Sequence, residues 1–221
     1  AIGAAFTFAF PFLVQTEPLD RPALEADAKA YASAQGIEPV PVVVEDVSDF
    51  TKTPNAYAVG LGPTQTVVFW STFLDGRFRE GELRVVLAHE VAHHSRRHLL
   101  EGIGWYALFA LPGAWLIAVA TRRRGGMARP AAVPVSLLVL VVLELASTPV
   151  YNLVSRHMEQ EADWVALETT RDPDSAAALF RRFTTESLSD PDPPRWAYYL
   201  FDSHPTVKQR IALAEAWRDA R

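Results

Sequence analysis

The stretch LRVVLAHEVAHHSRRHLL, residues 83–100, decides how the rest of the chain is read. Leu83, Val86 and Leu87 recur at helical spacing, and the pattern runs on from Glu80 to Leu100. Inside it sits His89-Glu90-Val91-Ala92-His93, an HExxH string. On a helix, residues four apart lie about 40° apart around the axis, so His89 and His93 project together. Two imidazoles so placed can bind one Zn²⁺. Glu90, beside the first ligand, is placed to take a proton from a metal-activated water and pass it to a leaving amine. With 6 His in 221 residues, chance supplies only about 0.01 such strings. His94 and His98 repeat the four-residue spacing. On an unbroken helix they fall about 140° and 180° from His89, so they are expected to be exposed or interfacial.

Catalytic zinc sites use three protein ligands and keep one position open. The chain has no cysteine, so thiolate ligands, thiol nucleophiles and disulfides are excluded, and the third ligand must be His, Asp or Glu. The dense candidate is SRHMEQEADWVA at 155–166. Glu159 and Asp163 share a helix face there, with Glu161 about 200° from Glu159. Spacing favours Glu159 over Glu161 only mildly. With Glu159 as ligand, Asp163 one turn on can accept the second ring N–H of a ligand histidine. The alternative is that all three acids simply solvate a helix face.

The charge distribution sets the organisation. Net charge is −5, which leaves no basic footprint for nucleic acid. Residues 1–16, 102–120 and 130–155 carry a single charged side chain, Glu144, while the other 160 residues carry 46 of the 47. The two internal stretches, joined by the basic loop TRRRGGMAR, read as a transmembrane hairpin at 102–153. A pair of buried helices in a soluble core is the alternative. Residues 1–16 are short for a span, and read as the cut end of a transmembrane segment, the remains of a signal sequence, or a buried strand. The start at Ala1 fits a processed or truncated chain. Residues 17–221 then form one domain interrupted by the hairpin. Glu144 faces a wet cavity or, the preferred reading, sits at the membrane interface close to Pro149.

Elsewhere, Asp20 reads as the N-cap of a helix with Pro22 in its first turn, Leu24, Ala28 and Tyr31 on one face and Gly36 at its stop. PVPVVVEDV (39–47), AYAVG (56–60) and TVVFW (66–70) read as strands. Helices are expected from Asp172-Pro173 and from near Pro205. His157 reads as a surface residue.

HExxH, a hydrophobic hairpin and an SRxxExxAD-type string together resemble the HtpX and CAAX prenyl protease group of membrane zinc peptidases. AHEVAHH at 88–94, SRHMEQEADWVA at 155–166, PNAYAVG at 54–60 and SHPTVKQRIALAEA at 203–216 carry the resemblance, which spans about residues 20–217. It implies an α+β, mainly helical, zincin-like (gluzincin) fold with a small sheet. It also implies Glu159 as third zinc ligand with Asp163 in support. By analogy His204 stabilises an oxyanion, against a capping or packing role ahead of Pro205. The segment Asn55, Ala56, Tyr57 and Ala58 is the candidate sheet edge for an extended peptide substrate, against an ordinary hairpin. The implied activity is metalloendopeptidase cleavage of membrane or misfolded proteins. A zinc-binding membrane scaffold that cleaves nothing is the rival reading, and the intact Glu90 speaks against it.

The chain is thus expected to be an integral membrane protein. The positive-inside rule puts the loop at 121–130 in the cytoplasm and the peptidase domain outside. Arg96, Arg97 and Arg156 on the other side of the hairpin pull the opposite way, as do HtpX-type relatives, whose active site is cytoplasmic.

Overall fold

The computed structural model describes residues 14–221 apart from Arg123. All but the last three residues of the apolar 1–16 segment lie outside that range. The chain divides into two units. The first contains the residues up to Leu99 together with His157–Pro193 and Pro205–Arg221. The second contains Leu100–Arg156 and Pro194–His204.

In the first unit, β1 (Glu17–Pro18), β2 (Val42–Glu45), β3 (Ala56–Val59) and β4 (Thr66–Trp70) form a mixed sheet of order β1-β2-β4-β3. β2 and β4 are parallel, and β1 and β3 are antiparallel to their neighbours. β2 is shorter than the 39–47 run suggests, because Pro39 and Pro41 have no N–H for the ladder. β3 and β4 turn through Gly60, whose φ of +87° and whose Cα, tight against the Thr64 carbonyl, admit only glycine.

Helix α1 (Pro22–Ala34) packs on α2 (Glu80–Ser95). Its N-cap position is held by Arg21 without a side-chain bond, not by Asp20 as the sequence suggests. Pro22, fixed at a helical φ in the first position, sets that start. α2 is buried on nearly every side: Leu83, Val85, Leu87, Val91 and Ala92 are all enclosed. It packs against β3 and β4, α1 and α5 (Pro173–Glu186). A helix enclosed on nearly every side lies in the middle of its unit. Its first turn is fixed by Glu82, 1% exposed, which accepts the Arg79 N–H at 2.7 Å and a forked pair from Arg182 at 3.2 Å. α5 starts where expected, Asp172 capping the Ser175 N–H at 2.9 Å. The last helix, α7 (Val207–Asp219), is capped by Thr206 and Gln209 reciprocally.

The helical pattern across 80–100 is not one helix. α2 stops at Ser95, Arg97 adopts φ +59°, and α3 (His98–Arg122) starts afresh. α3 and α4 (Ala132–Thr170) are each long and apolar enough to cross a membrane. In their most apolar windows only 6% and 0% of residues are buried. The described residues thus leave their apolar sides uncovered. Glu144 is exposed on α4. α6 (Arg195–Phe201) completes the second unit.

Candidate metal centre

Two helices of the first unit bring the site together. His89, Glu90 and His93 come from α2, and Glu159 and Asp163 from the C-terminal part of α4. The helices meet through Ala92, Ala162 and Val165, a small buried cluster in which two methyl side chains allow close approach.

His89 Nε2 and His93 Nε2 lie 3.1 Å apart. Glu159 Oε2 is 3.3 Å from the first and Glu159 Oε1 is 3.5 Å from the second. A tetrahedral ion with bonds of about 2.0–2.1 Å needs donors separated by about 3.3 Å. The donor set therefore fits a divalent metal in both chemistry and spacing, and all three side chains could hold one ion. Asp163 Oδ1 sits 2.9 Å from His89 Nδ1. At that distance the carboxylate pairs with the His89 ring, the contact by which a carboxylate orients a histidine toward a metal. Asp163 is in turn gripped by Arg210 of α7, with Nε to Oδ2 at 2.7 Å and Nη2 to Oδ1 at 2.5 Å. The guanidinium lies 4.2 Å from the Phe180 ring centroid.

The metal-free electrostatics follow from this packing. Burial opposes a charge on His89, but the Asp163 and Glu159 carboxylates outweigh it and raise its pKa to about 10. Burial and the neighbouring His89 lower His93 to about 3. Burial raises Glu90 to about 7, with Glu159 adding to it and His89 opposing it. Burial would also raise Asp163, but Arg210 and His89 hold it below the usual carboxylate range.

The expectation for His94 and His98 is corrected. Both are buried. His94 Nε2 lies 3.1 Å from the Thr66 carbonyl of β4, because this side of α2 faces the sheet. His98 Nδ1 lies 3.0 Å from His93 Nδ1, and His98 Nε2 lies 3.4 Å from Glu161 Oε2. The 180° separation presumed an unbroken helix, and the left-handed turn at Arg97 brings His98 back beside His93. Glu161 also meets Arg96 at 3.3 Å. From the sequence, Glu161 is weighed only as a rival ligand, and neither His98 nor Arg210 is placed at the site. The one available signal was the histidine five positions after His93.

Among the described residues β3 is an edge strand, paired with β4. The Trp70 N–H donates to the Asn55 carbonyl at 2.9 Å, so Asn55, Tyr57 and Val59 turn their backbone groups toward β4. In this register Ala56 and Ala58 turn theirs outward. The Ala58 N–H reaches the Glu90 carboxylate. Of the four candidate edge residues, the two alanines thus face away from the sheet, while the Tyr57 hydroxyl donates to Glu45 at 2.8 Å. His157 is exposed, as expected. His204 ends the second unit, exposed, with Nδ1 3.0 Å from Ser203 Oγ.

The uncharacterized metalloprotease YhfN of Bacillus subtilis (strain 168) is 30% identical over 213 residues, 92% of this chain and 50% of that protein. A protease HtpX homolog of Limosilactobacillus fermentum is 30% identical over 190 residues, 74% of this chain and 64% of that protein. The chain thus spans about half to two thirds of these relatives. The crystal structure of S. mikatae Ste24p matches 97% of this chain and 55% of its own, with a TM-score of 0.78 at 22% identity, and it supports the zincin-like fold. The model of peptidase family M48 matches residues 18–218. With two histidines and a glutamate of the HExxH…E pattern converging in space, this chain belongs to peptidase family M48.

Proposed function

We propose that this chain is the catalytic part of a membrane-integrated zinc metalloendopeptidase. The observation that carries the reading is the convergence of His89, His93 and Glu159 with Glu90 one residue from the first ligand. His89 and His93 Nε2 and the Glu159 carboxylate would hold the ion. Zn²⁺ bound there would act as a Lewis acid toward a peptide carbonyl and acidify a water to a pKa near 7. Glu90 is the proton carrier. Its carboxylate, one residue from the first ligand, is placed to take a proton from a metal-activated water and return it to a leaving amine. Asp163 fixes the tautomer of His89, and Arg210 keeps Asp163 ionised in its buried position. Substrate pairs in extended form with the outward backbone groups of Ala56 and Ala58, which reads main chain and so accepts many sequences.

The apolar, exposed faces of α3 and α4 support a hairpin in the bilayer. On the positive-inside rule the peptidase side lies outside the cytoplasm. Reporter fusions within residues 122–129 test this, and an externally accessible loop overturns it. Membrane or misfolded proteins are the substrate class, and the oxyanion role of His204 rests on the sequence resemblance. The scaffold reading is disfavoured because a structural metal site needs no buried base at Glu90.

The deciding experiment is Glu90→Gln. Zinc content is expected to stay at one per chain while casein hydrolysis falls by about 10²–10⁴-fold. Undiminished proteolysis by this variant refutes the mechanism.

A further inference from the structure

The second unit carries an aromatic helix that the catalytic reading does not use. In α6, Trp196, Tyr199 and Leu200 fall at i, i+3 and i+4 and share one side. Trp196 is 65% exposed and Tyr199 55%, and Phe201 at the helix end is 70% exposed. The Trp196 and Phe201 rings sit edge to face, 6.2 Å between centroids. Exposed apolar surface of this kind marks a contact surface.

Its place on the hairpin says what it contacts. The exposed apolar side of α4 runs from Val133 to Leu153. At 1.5 Å per residue this covers about 30 Å, the thickness of a bilayer's hydrocarbon core. α6 is tied to α4 where that stretch ends. Asn152 Nδ2 donates to the Leu200 carbonyl at 2.9 Å. Arg156, buried, donates through Nη1 to the Asp202 carbonyl at 2.6 Å and the Tyr198 carbonyl at 3.2 Å. Its guanidinium lies 4.6 Å from the Tyr198 ring centroid. A cation on the last carbonyls of a helix complements its dipole and fixes its orientation. The aromatic side is thereby held at the level where Trp and Tyr gather in membrane proteins.

We propose that α6 is an interfacial membrane anchor, with Trp196, Tyr199, Leu200 and Phe201 seated among lipid headgroups and upper acyl chains and Arg156 as the latch that sets its depth. The inference rests on the membrane reading of the hairpin. Its attachment where the exposed apolar side of α4 ends selects lipid as occupant over a protein partner.

The absence of cysteine makes the test direct. Single-cysteine variants Trp196→Cys, Tyr199→Cys and Phe201→Cys of the full chain carry a nitroxide label, with Leu138→Cys on α4 and Lys29→Cys on α1 as references. They are reconstituted in vesicles of phosphatidylcholine with a minority of phosphatidylglycerol. Collision with oxygen, which partitions into lipid, is compared with collision with a water-soluble nickel chelate. The α6 labels are expected to show an oxygen-to-chelate ratio several-fold above Lys29→Cys and below Leu138→Cys. A ratio equal to that of Lys29→Cys, with Leu138→Cys still in lipid, overturns the anchor. Labels shielded from both reagents mean a protein contact and overturn it as well. If Leu138→Cys itself reads as aqueous, the hairpin reading fails and the anchor falls with it. Arg156→Gln is expected to broaden the depth distribution of the Tyr199 label without moving that of Leu138.

Discussion

Replacing Arg210 by methionine tests how the centre is held together. The Asp163 carboxylate is 3% exposed, and its charge is balanced by two hydrogen bonds from Arg210 and the His89 ring 2.9 Å away. Arg210→Met keeps the apolar stem over Phe180 but leaves a buried carboxylate with one partner. Breaking a buried pair from one side costs about 3–5 kcal/mol. For a chain of this size each kcal/mol moves the melting temperature by roughly 2–4 °C, so a fall of about 6–20 °C is expected. Tryptophan fluorescence during heating of the detergent-solubilised protein reads it. The pH dependence carries a sign. In the parent, Asp163 is held below its ordinary value, so its contribution is present above the pKa of an unfolded aspartate. That contribution is lost only as pH falls through the lower folded value. In Arg210→Met, burial dominates, the folded pKa rises above the unfolded one, and stability is regained as pH falls from 7 toward 5. The gap between variant and parent therefore narrows in acid. Metal affinity falls as well, because a protonated Asp163 no longer anchors His89. A melting temperature within 2–4 °C of the parent (about 1 kcal/mol), with a gap that does not depend on pH, would refute the buried-pair argument.

Three further outcomes follow from the same geometry. His98→Ala is expected to weaken zinc binding by about 10–100-fold in competition with a fluorescent chelator, and His98→Gln by less, since an amide can still accept from His93 Nδ1; equal losses would mean that packing alone is at stake. In the metal-free centre the pKa of His89 is raised to about 10, so metal entry must displace a proton. Apparent affinity should then rise about tenfold per pH unit between 6 and 8. Calorimetry in buffers of different ionisation heat should register one released proton, and a flat profile contradicts the assignment. Gly60→Ala forces a side chain onto a carbonyl 1.9 Å away at φ +87°; strain of about 1–3 kcal/mol should appear as an earlier thermal transition, and an unchanged melt means that the β3–β4 turn differs.

The sequence carried most of the chemistry. A local rule, four residues for one helical turn and a little more, is enough to bring His89 and His93 together and to stack Asp163 one turn beyond Glu159. Local rules also placed the cap at Asp172, the strands at 56–60 and 66–70 and the apolar hairpin, because each depends on neighbours within a few residues. They failed at His98. Whether the chain passes Arg97 as helix or turns there depends on the packing on either side of the break, and a wheel drawn through it points the side chain the wrong way. They failed at Asp20 for a smaller reason, since the proline at the first helical position set the start one residue later than the best-looking cap.

Choosing Glu159 over Glu161 was beyond spacing, since both lie on one helix and only the approach of α2 to α4 through Ala92 and Ala162 decides which acid meets the histidines. The outward alanines of β3 depend on a register shared with β4, and the Arg210–Asp163 grip joins residues 47 positions apart. The sequence by itself determined the candidate donor types, the helical pairing of the two histidines and the apolar stretches, because these are periodicities within single elements. The tertiary structure decided which carboxylate lies beside His89 and His93, which histidines are enclosed and which residues surround them, because those contacts form only when separate elements pack against one another.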